Sequence, residues 1–405
     1  MVNNMIRAFQ DAIPVMERIE KAGYEAYFVG GSVRDYLLNK QINDIDIATS
    51  ATPAEVKAIF SHTIDVGIEH GTVMVIWNNS TYEITTFRTE SDYVDYRRPE
   101  QVYFVRQLKE DLKRRDFTIN ALAMDKDGHI YDYFLGKESL KLKEIKTVGN
   151  PNERFQEDAL RIMRGIRFVS TLGFALEEET RSSMEKNKHL LSKIAVERIT
   201  NEFEKLLLGT DANKAIKAMI DTKIYKYLPL LSERKEGLMK LSLLALDHLD
   251  SKELWATFLI CMDVIDKTEI ESFLRTWKLA VKQIKDIQKI IFWVKEREAM
   301  SFWSNIELYS ATLAIATSAE KVYQLMKHNR KWKDENLLEL QHSKLAIKTK
   351  QELNVTGNDL LTWTNKRQGP WMKEILSQIE SAVVEEQVGN DKQLIKEWLV
   401  QCHLI

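Results

Sequence analysis

Cysteine, proline, net charge and long apolar runs are all scarce in this 405-residue chain. The two cysteines, Cys261 and Cys402, lie far apart. They give no disulfide framework and no CxxC metal site, and they fit a reducing compartment, the cytoplasm. The greasiest stretch, Leu254 to Met262, falls well short of the roughly 20 residues that cross a bilayer, and it reads as a buried helix segment. The N-terminus carries charges at short intervals and lacks the apolar core of a signal peptide. Lys and Arg number 58 against 60 Asp and Glu, a net charge of -2. That excludes a histone-like polycation but not a local basic groove for a nucleic acid. With 44% apolar and 29% charged residues, the chain is neither disordered nor fibrous, and it is long enough for several cores.

Punctuation is uneven. Four of the six prolines lie in the first 151 residues, and ten of the 15 glycines in the first 173. The front therefore reads as a turn-rich α/β region, and the long Leu/Lys/Glu-rich back as helices. Residues 5 to 22 carry helical spacing that Pro14 can kink or divide. Tyr27 to Val29 reads as a strand, Gly30-Gly31 as a turn, and Ser32 as the cap of a helix reaching about Asn39. Val73 to Trp77 and Tyr82 to Phe87 form a hairpin through Asn78-Asn79-Ser80.

Asp44 to Ala48 alternates Asp, Ile, Asp, Ile, Ala. In a strand both carboxylates share one side, with Ile45 and Ile47 on the other. Such a pair is either a solvated strand face or two like charges held ionised by a shared cation, most simply Mg²⁺. If the strand of Glu83 is adjacent, three carboxylates converge as in a two-metal site. Upstream, Gly30-Gly31-Ser32 opens a helix whose free N–H groups, with the Ser32 hydroxyl, suit a triphosphate. Arg34 can add charge there or pair with Asp35. By itself such a turn is equally a plain helix start. It is neither a P-loop nor a G-x-G-x-x-G fingerprint.

Taken in order, these segments acquire a family likeness. Gly30-Gly31-Ser32-Val33-Arg34-Asp35 followed by Asp44-Ile45-Asp46 resembles the head signature of the DNA polymerase β-like nucleotidyltransferases. More narrowly it is similar to the class II tRNA nucleotidyltransferases and poly(A) polymerases, in the Gram-positive form without an HD domain. Glu83 with Thr85 to Arg88, Tyr96-Arg97-Arg98-Pro99, Arg114 to Ala121, Glu157-Asp158-Ala159-Leu160-Arg161 and Glu197-Arg198-Ile199 continue the match, which covers about residues 24 to 208.

The resemblance implies an α/β head with a mixed sheet, followed by an all-helical neck, body and tail. The expected bounds are 1–143, 144–207, 208–320 and 321–405. It implies an enzyme that adds C, C and A to the tRNA acceptor end from CTP and ATP, without a template, releasing pyrophosphate. A poly(A) polymerase or a partial A- or CC-adding enzyme shares that chemistry, and a non-catalytic RNA-binding protein is the rival of another class. Asp44 and Asp46 would hold two Mg²⁺ ions, with Glu83 as third catalytic carboxylate. Gly30, Gly31, Ser32, Arg34, Arg115, Asp116 and Asn120 would contact the nucleotide. Arg88 to Pro99 is similar to the loop that the family needs to switch from C to A. A cytoplasmic monomer or homodimer, away from membranes, is expected.

Glu157, Asp158 and Arg161 fall in an expected helix from about Glu153 to Val169. Asp158 offers only acceptors and Arg161 only donors. Cytosine and adenine each present an amino donor beside a ring-nitrogen acceptor, so the pair complements both. Uracil and guanine reverse the pattern and would leave groups unpaired. Glu157 would orient Arg161. Arg164 and Arg167 add cations for the triphosphate or the tRNA backbone. Eight of the nine tryptophans lie beyond residue 250, and most read as packing residues. Gly357 to Leu360 and Gly369-Pro370 resemble the family's tail. The histidines show no zinc-ligand spacing.

Overall fold

The computed structural model describes residues 7–42, 44–90, 93–94, 98–99, 102–364 and 366–405. The chain divides into two compact units, Met1–Ser242 and Leu243–Ile405.

The first unit is built on a seven-stranded sheet. Its strands are β1 (Ala26–Val29), β2 (Asp46–Thr49), β3 (Thr63–Asp65), β4 (Thr72–Trp77), β5 (Ser80–Thr86), β6 (Ala123–Met124) and β7 (Ile130–Tyr131). Their order is β7-β6-β1-β2-β5-β4-β3. Only β2 and β5 run parallel, so the sheet is mixed. The β4–β5 hairpin follows from Asn78 and Asn79, both at positive φ (48° and 63°) as a tight primed turn requires.

Helix α1 (Arg7–Lys21) closes one face, burying Phe9, Ala12, Met16 and Ile19, with Phe9 against Phe28 of β1. Pro14 does not divide it. The ring lies on the exposed side of the helix, clear of the core. Gly136 begins a helix packed on the turn Thr118–Asn120. A methyl there would lie 2.4 Å from the Thr118 carbonyl oxygen, so no side chain fits.

The rest of this unit is largely helical. A two-residue parallel pairing, Glu144–Ile145 with Ala175–Leu176, interrupts the expected all-helical run. The helix expected from Glu153 to Val169 is two helices, α3 (Pro151–Glu157) and α4 (Leu160–Leu172). Asp158 between them is extended (φ −132°, ψ 101°), and its Oδ1 accepts the Leu160 N–H at 3.1 Å. A short carboxylate that bonds its own backbone competes with helix continuation. Helix α5 (Val196–Leu207) packs on α4 through Ile199, Phe203 and Leu206.

In the second unit every regular element among the described residues is helical. Trp255 and Trp277 are fully buried and meet edge to face at 5.4 Å. Leu360, Ile379, Val383, Ile395 and Leu399 centre a further cluster, on which Trp363, Trp371 and Trp398 pack. Among the described residues no helix is long and apolar enough to cross a membrane.

Candidate active site

One end of the sheet collects the acidic residues. β1 ends at Val29, which lies opposite Asp46 in the antiparallel register, and Asp46 lies opposite Glu83 in the parallel β2–β5 register. Asp44 precedes the strand, so the strict strand alternation expected from Asp44 begins only at Asp46. Partial loss of water, then the Glu83 carboxylate, hold the Asp46 carboxyl above its ordinary value, with Arg115 opposing and Asp44 adding repulsion. An all-oxygen donor set under mutual repulsion is the environment a hard divalent cation relieves, so these residues fit Mg²⁺.

A different trio brings its donor atoms within 4.8 Å of one another: Asp125, Asp127 and His129. That cluster has a structural explanation. Asp125 accepts the Asp127 and His129 N–H groups and ties the turn between β6 and β7.

Beside the acids, Gly30 takes φ 69° and turns the chain into α2 (Gly31–Leu37). A Cβ on Gly30 would stand 3.0 Å from Arg115 Nη1, so glycine here permits both the turn and the close approach of that guanidinium. Ser32 sits inside the helix rather than capping it. Its buried hydroxyl donates to the Val29 carbonyl at 3.0 Å, which turns it away from the cavity. Arg34 pairs with Asp35 at 2.9 Å and donates to Asn120 Oδ1 at 2.7 Å. Arg115 reaches the buried Asp111 at 3.2 Å, while its own buried Nε has no hydrogen-bond partner. Burial pushes the Asp111 carboxyl up, but Arg114 and Arg115 outweigh it and leave it below its ordinary value.

Asp116 does not face the cavity as a free group. Its Oδ1 accepts from the Phe117 N–H and from Asn120 Nδ2, and its Oδ2 from Arg164 Nε at 2.7 Å. Burial alone would raise its pKa, yet Arg164 and Asn120 hold it well below the usual carboxylate range. Asp116→Asn should therefore cost about 2 kcal/mol of stability at pH 7, because it removes the short charged hydrogen bonds to Arg164 and leaves that guanidinium to Glu202 at 3.9 Å. The parent's advantage is complete above the unfolded carboxylate value of about 3.9 and fades as pH falls through the lower folded value. Urea unfolding of both proteins between pH 7 and pH 3 measures this, and equal midpoints at pH 7 would remove the ion pair from the ledger.

The opposite wall comes from α3, α4 and α5. Arg161 is buried and its Nη1 donates to Glu157 Oε2 at 2.6 Å. Asp158 pairs with Arg198 of α5 at 3.0 Å. Arg167 binds Glu202 at 2.5 Å and lies 4.0 Å over the Phe168 ring, and burial first lowers its pKa. The walls enclose a cavity of about 820 Å³ lined, among the described residues, by eight arginines and four carboxylates. Gly30, Gly31, Arg34, Asp46, Glu83, Arg115, Asp116, Asn120, Asp158, Arg161, Arg164 and Arg167 reach it, and Ser32, Asp44 and Glu157 are not in its lining. Sequence reasoning missed the roles of Arg198, Phe168 and Asp111. Arg198 stood within a quoted motif, but its partner lies 40 residues away, a pairing that no local spacing shows. Of the loop expected from Arg88 to Pro99, residues 91, 92 and 95–97 lie outside the described residues.

A mixed sheet with acids at one strand end, facing an arginine-lined cavity completed by helices, defines a nucleotidyltransferase. Known families agree. The Poly A polymerase head domain matches residues 26–146. The probable RNA and SrmB-binding site of polymerase A matches 173–234, and the putative tRNA nucleotidyltransferase domain 2 matches 248–399. The CCA-adding enzyme of Bacillus cereus strain Q1 is 49% identical over 398 residues, covering 98% of this chain and 99% of that protein. The enzyme of the same name from Bacillus anthracis strain A0248 is 48% identical at the same coverage. The crystal structure of the Bacillus stearothermophilus CCA-adding enzyme in complex with CTP superposes with a TM-score of 0.92 at 42% identity, over 98% of each chain. The Thermotoga maritima CCA-adding enzyme, 20% identical with a TM-score of 0.63, shares the fold. The chain belongs to the bacterial CCA-adding enzymes of the class II tRNA nucleotidyltransferase and poly(A) polymerase family.

Proposed function

We propose that this enzyme builds the tRNA 3′ end, C then C then A, in the arginine-lined cavity, reading each nucleotide with protein side chains. One observation carries the reading: a donor–acceptor wall, Asp158 and Arg161, faces the same cavity as the Asp46 and Glu83 edge. The base would be judged at one end while the phosphate reacts at the other.

Asp158 can accept the exocyclic amino group of cytosine or adenine, and Arg161 can donate to the adjacent ring nitrogen. Arg161 comes to that task pre-oriented by Glu157. Asp158 comes held by Arg198 at 3.0 Å, and its carboxylate offers acceptors alone. UTP and GTP would set carbonyl against carboxylate and N–H against guanidinium. Arg34, Arg115, Arg164 and Arg167 supply positive charge for the triphosphate, and the unpartnered Arg115 Nε is a donor in reserve. Asp44 and Asp46 would hold two Mg²⁺ ions, with Glu83 in support. Bound there, Mg²⁺ supplies charge stabilisation at phosphorus and acidifies the attacking 3′-hydroxyl. The chain's own residues hold the sugar and phosphates in line with that hydroxyl and give no purchase to the wrong base.

We assign residues 1–143 to the catalytic head, 144–207 to the neck, 208–320 to the body and 321–405 to the tRNA-binding tail. The enzyme works in the cytoplasm as a monomer or homodimer. The test uses tRNA transcripts ending before CCA, after C and after CC, with Mg²⁺ and CTP, ATP or both. Addition of C, C and A followed by a stop is expected. A stop at CC, addition of A to the CC-ended tRNA alone, or a long A ladder would reassign the chain to a relative with the same chemistry.

A further inference from the structure

Behind the base-reading wall lies a guanidinium that the cavity does not touch. Arg154, on α3, is nearly buried and is not among the residues that line the cavity. Glu157 Oε2 accepts from Arg154 Nη1 at 2.5 Å and from Arg161 Nη1 at 2.6 Å, so one carboxylate oxygen is shared between the two. The other arm of Arg154, Nη2, donates to the Arg114 carbonyl and, at 2.9 Å, to the Arg115 carbonyl. Arg161 Nη2 reaches the same Arg114 carbonyl at 3.1 Å. The Arg114–Arg115 main chain carries the Arg115 guanidinium, whose charge Asp46 feels.

We propose that Arg154 is a positioning residue for nucleotide selection: it fixes the base-facing guanidinium of Arg161 and the main chain that presents Arg115 in one rigid unit. The inference rests on the reading of Arg161 as the donor to the base. Its physical ground is geometric. Arg161 at the end of a flexible stem can discriminate bases only if its plane is held, and a planar five-donor group is suited to hold a carboxylate and two carbonyls at once. A lysine has no fork and can serve one side only.

The test compares the full-length parent with Arg154→Met and Arg154→Lys. It measures single-nucleotide addition to tRNA ending before CCA, with CTP, UTP, ATP and GTP supplied separately. Arg154→Met should lower kcat/KM for CTP about tenfold or more and narrow the preference for CTP over UTP by a similar factor. Arg154→Lys should recover part of the rate but less of the selectivity. Thermal unfolding of each variant is measured alongside. A purely structural role would lower the melting temperature and the active fraction, and leave the KM for CTP and the CTP-over-UTP ratio at parental values. That result would overturn the proposal. A parent that fails to discriminate CTP from UTP would instead bring down the reading of Arg161, and the two failures are distinguished within one data set.

Discussion

Asp46→Ala will leave tRNA binding within a few-fold of the parent and lower turnover by about 10³-fold or more, equivalent to about 4 kcal/mol of barrier. The size follows from position. Asp46 stands at the start of β2, level with Glu83 across the parallel ladder and with Val29 across the antiparallel one. It is the carboxylate on which repulsion concentrates, since its pKa is raised by lost water, Glu83 and Asp44 together. Removing it relieves that repulsion, so the variant should fold at least as well as the parent while losing its grip on Mg²⁺. Stability and activity should therefore move in opposite directions, which a misfolded variant cannot mimic. Asp44→Ala should follow the same course. The control is Asp125→Asn, in the turn cluster whose donor atoms come within 4.8 Å of one another. It should lose some stability at the β6–β7 turn and keep its turnover. Full activity in Asp46→Ala, or loss of activity confined to Asp125→Asn, would move the metal to the other cluster. Measuring tRNA binding by filter retention and CTP incorporation at several Mg²⁺ concentrations separates weakened metal affinity from a lost group.

What could be read in advance was local. The β4–β5 hairpin was legible because two consecutive asparagines accept positive φ cheaply. The carboxylate edge was legible because alternation puts Asp46 on one side of a strand whose other side, Ile47, is core. The Glu157–Arg161 pair was expected from one-turn spacing, and it forms at 2.6 Å, though across the break at Asp158 rather than along one helix. The misreadings share a different cause. Nothing in local periodicity says that Asp158 will bond the Leu160 N–H and end a helix, since either conformation satisfies the apolar pattern around it. Ser32 follows a glycine turn and so looks like a cap. The cap falls at Gly30, two residues earlier, and the hydroxyl is left to satisfy Val29. Arg198 and Arg154 act through partners 40 positions away. Such pairings come from how helices pack, and a single sequence does not display them.

Asp158 is the position where that distinction has the largest consequence for specificity. Asp158→Asn keeps the volume, keeps one acceptor and adds two donors. The amide can turn its NH₂ towards the uracil O4, so UTP should gain while CTP loses the charge-assisted part of its bond. The CTP-over-UTP ratio should fall about 10²-fold, from a loss of about 1 to 3 kcal/mol on either side of the comparison. Asp158→Ala should also lower the ratio, but through CTP alone, since no new donor is offered. Both variants free Arg198, whose partner Asp158 is in the resting chain. An unpaired cation at the cavity wall would favour a carbonyl-bearing base, which acts in the same direction. To isolate the base contact, the same measurement is made in an Arg198→Met background. If Asp158 reads the base directly, the fall in ratio persists there. If Arg198 alone creates the change, it vanishes. A variant series in which Asp158→Asn, with or without Arg198, still rejects UTP and GTP as strongly as the parent would remove Asp158 from base selection and leave discrimination to Arg161 and the shape of the cavity.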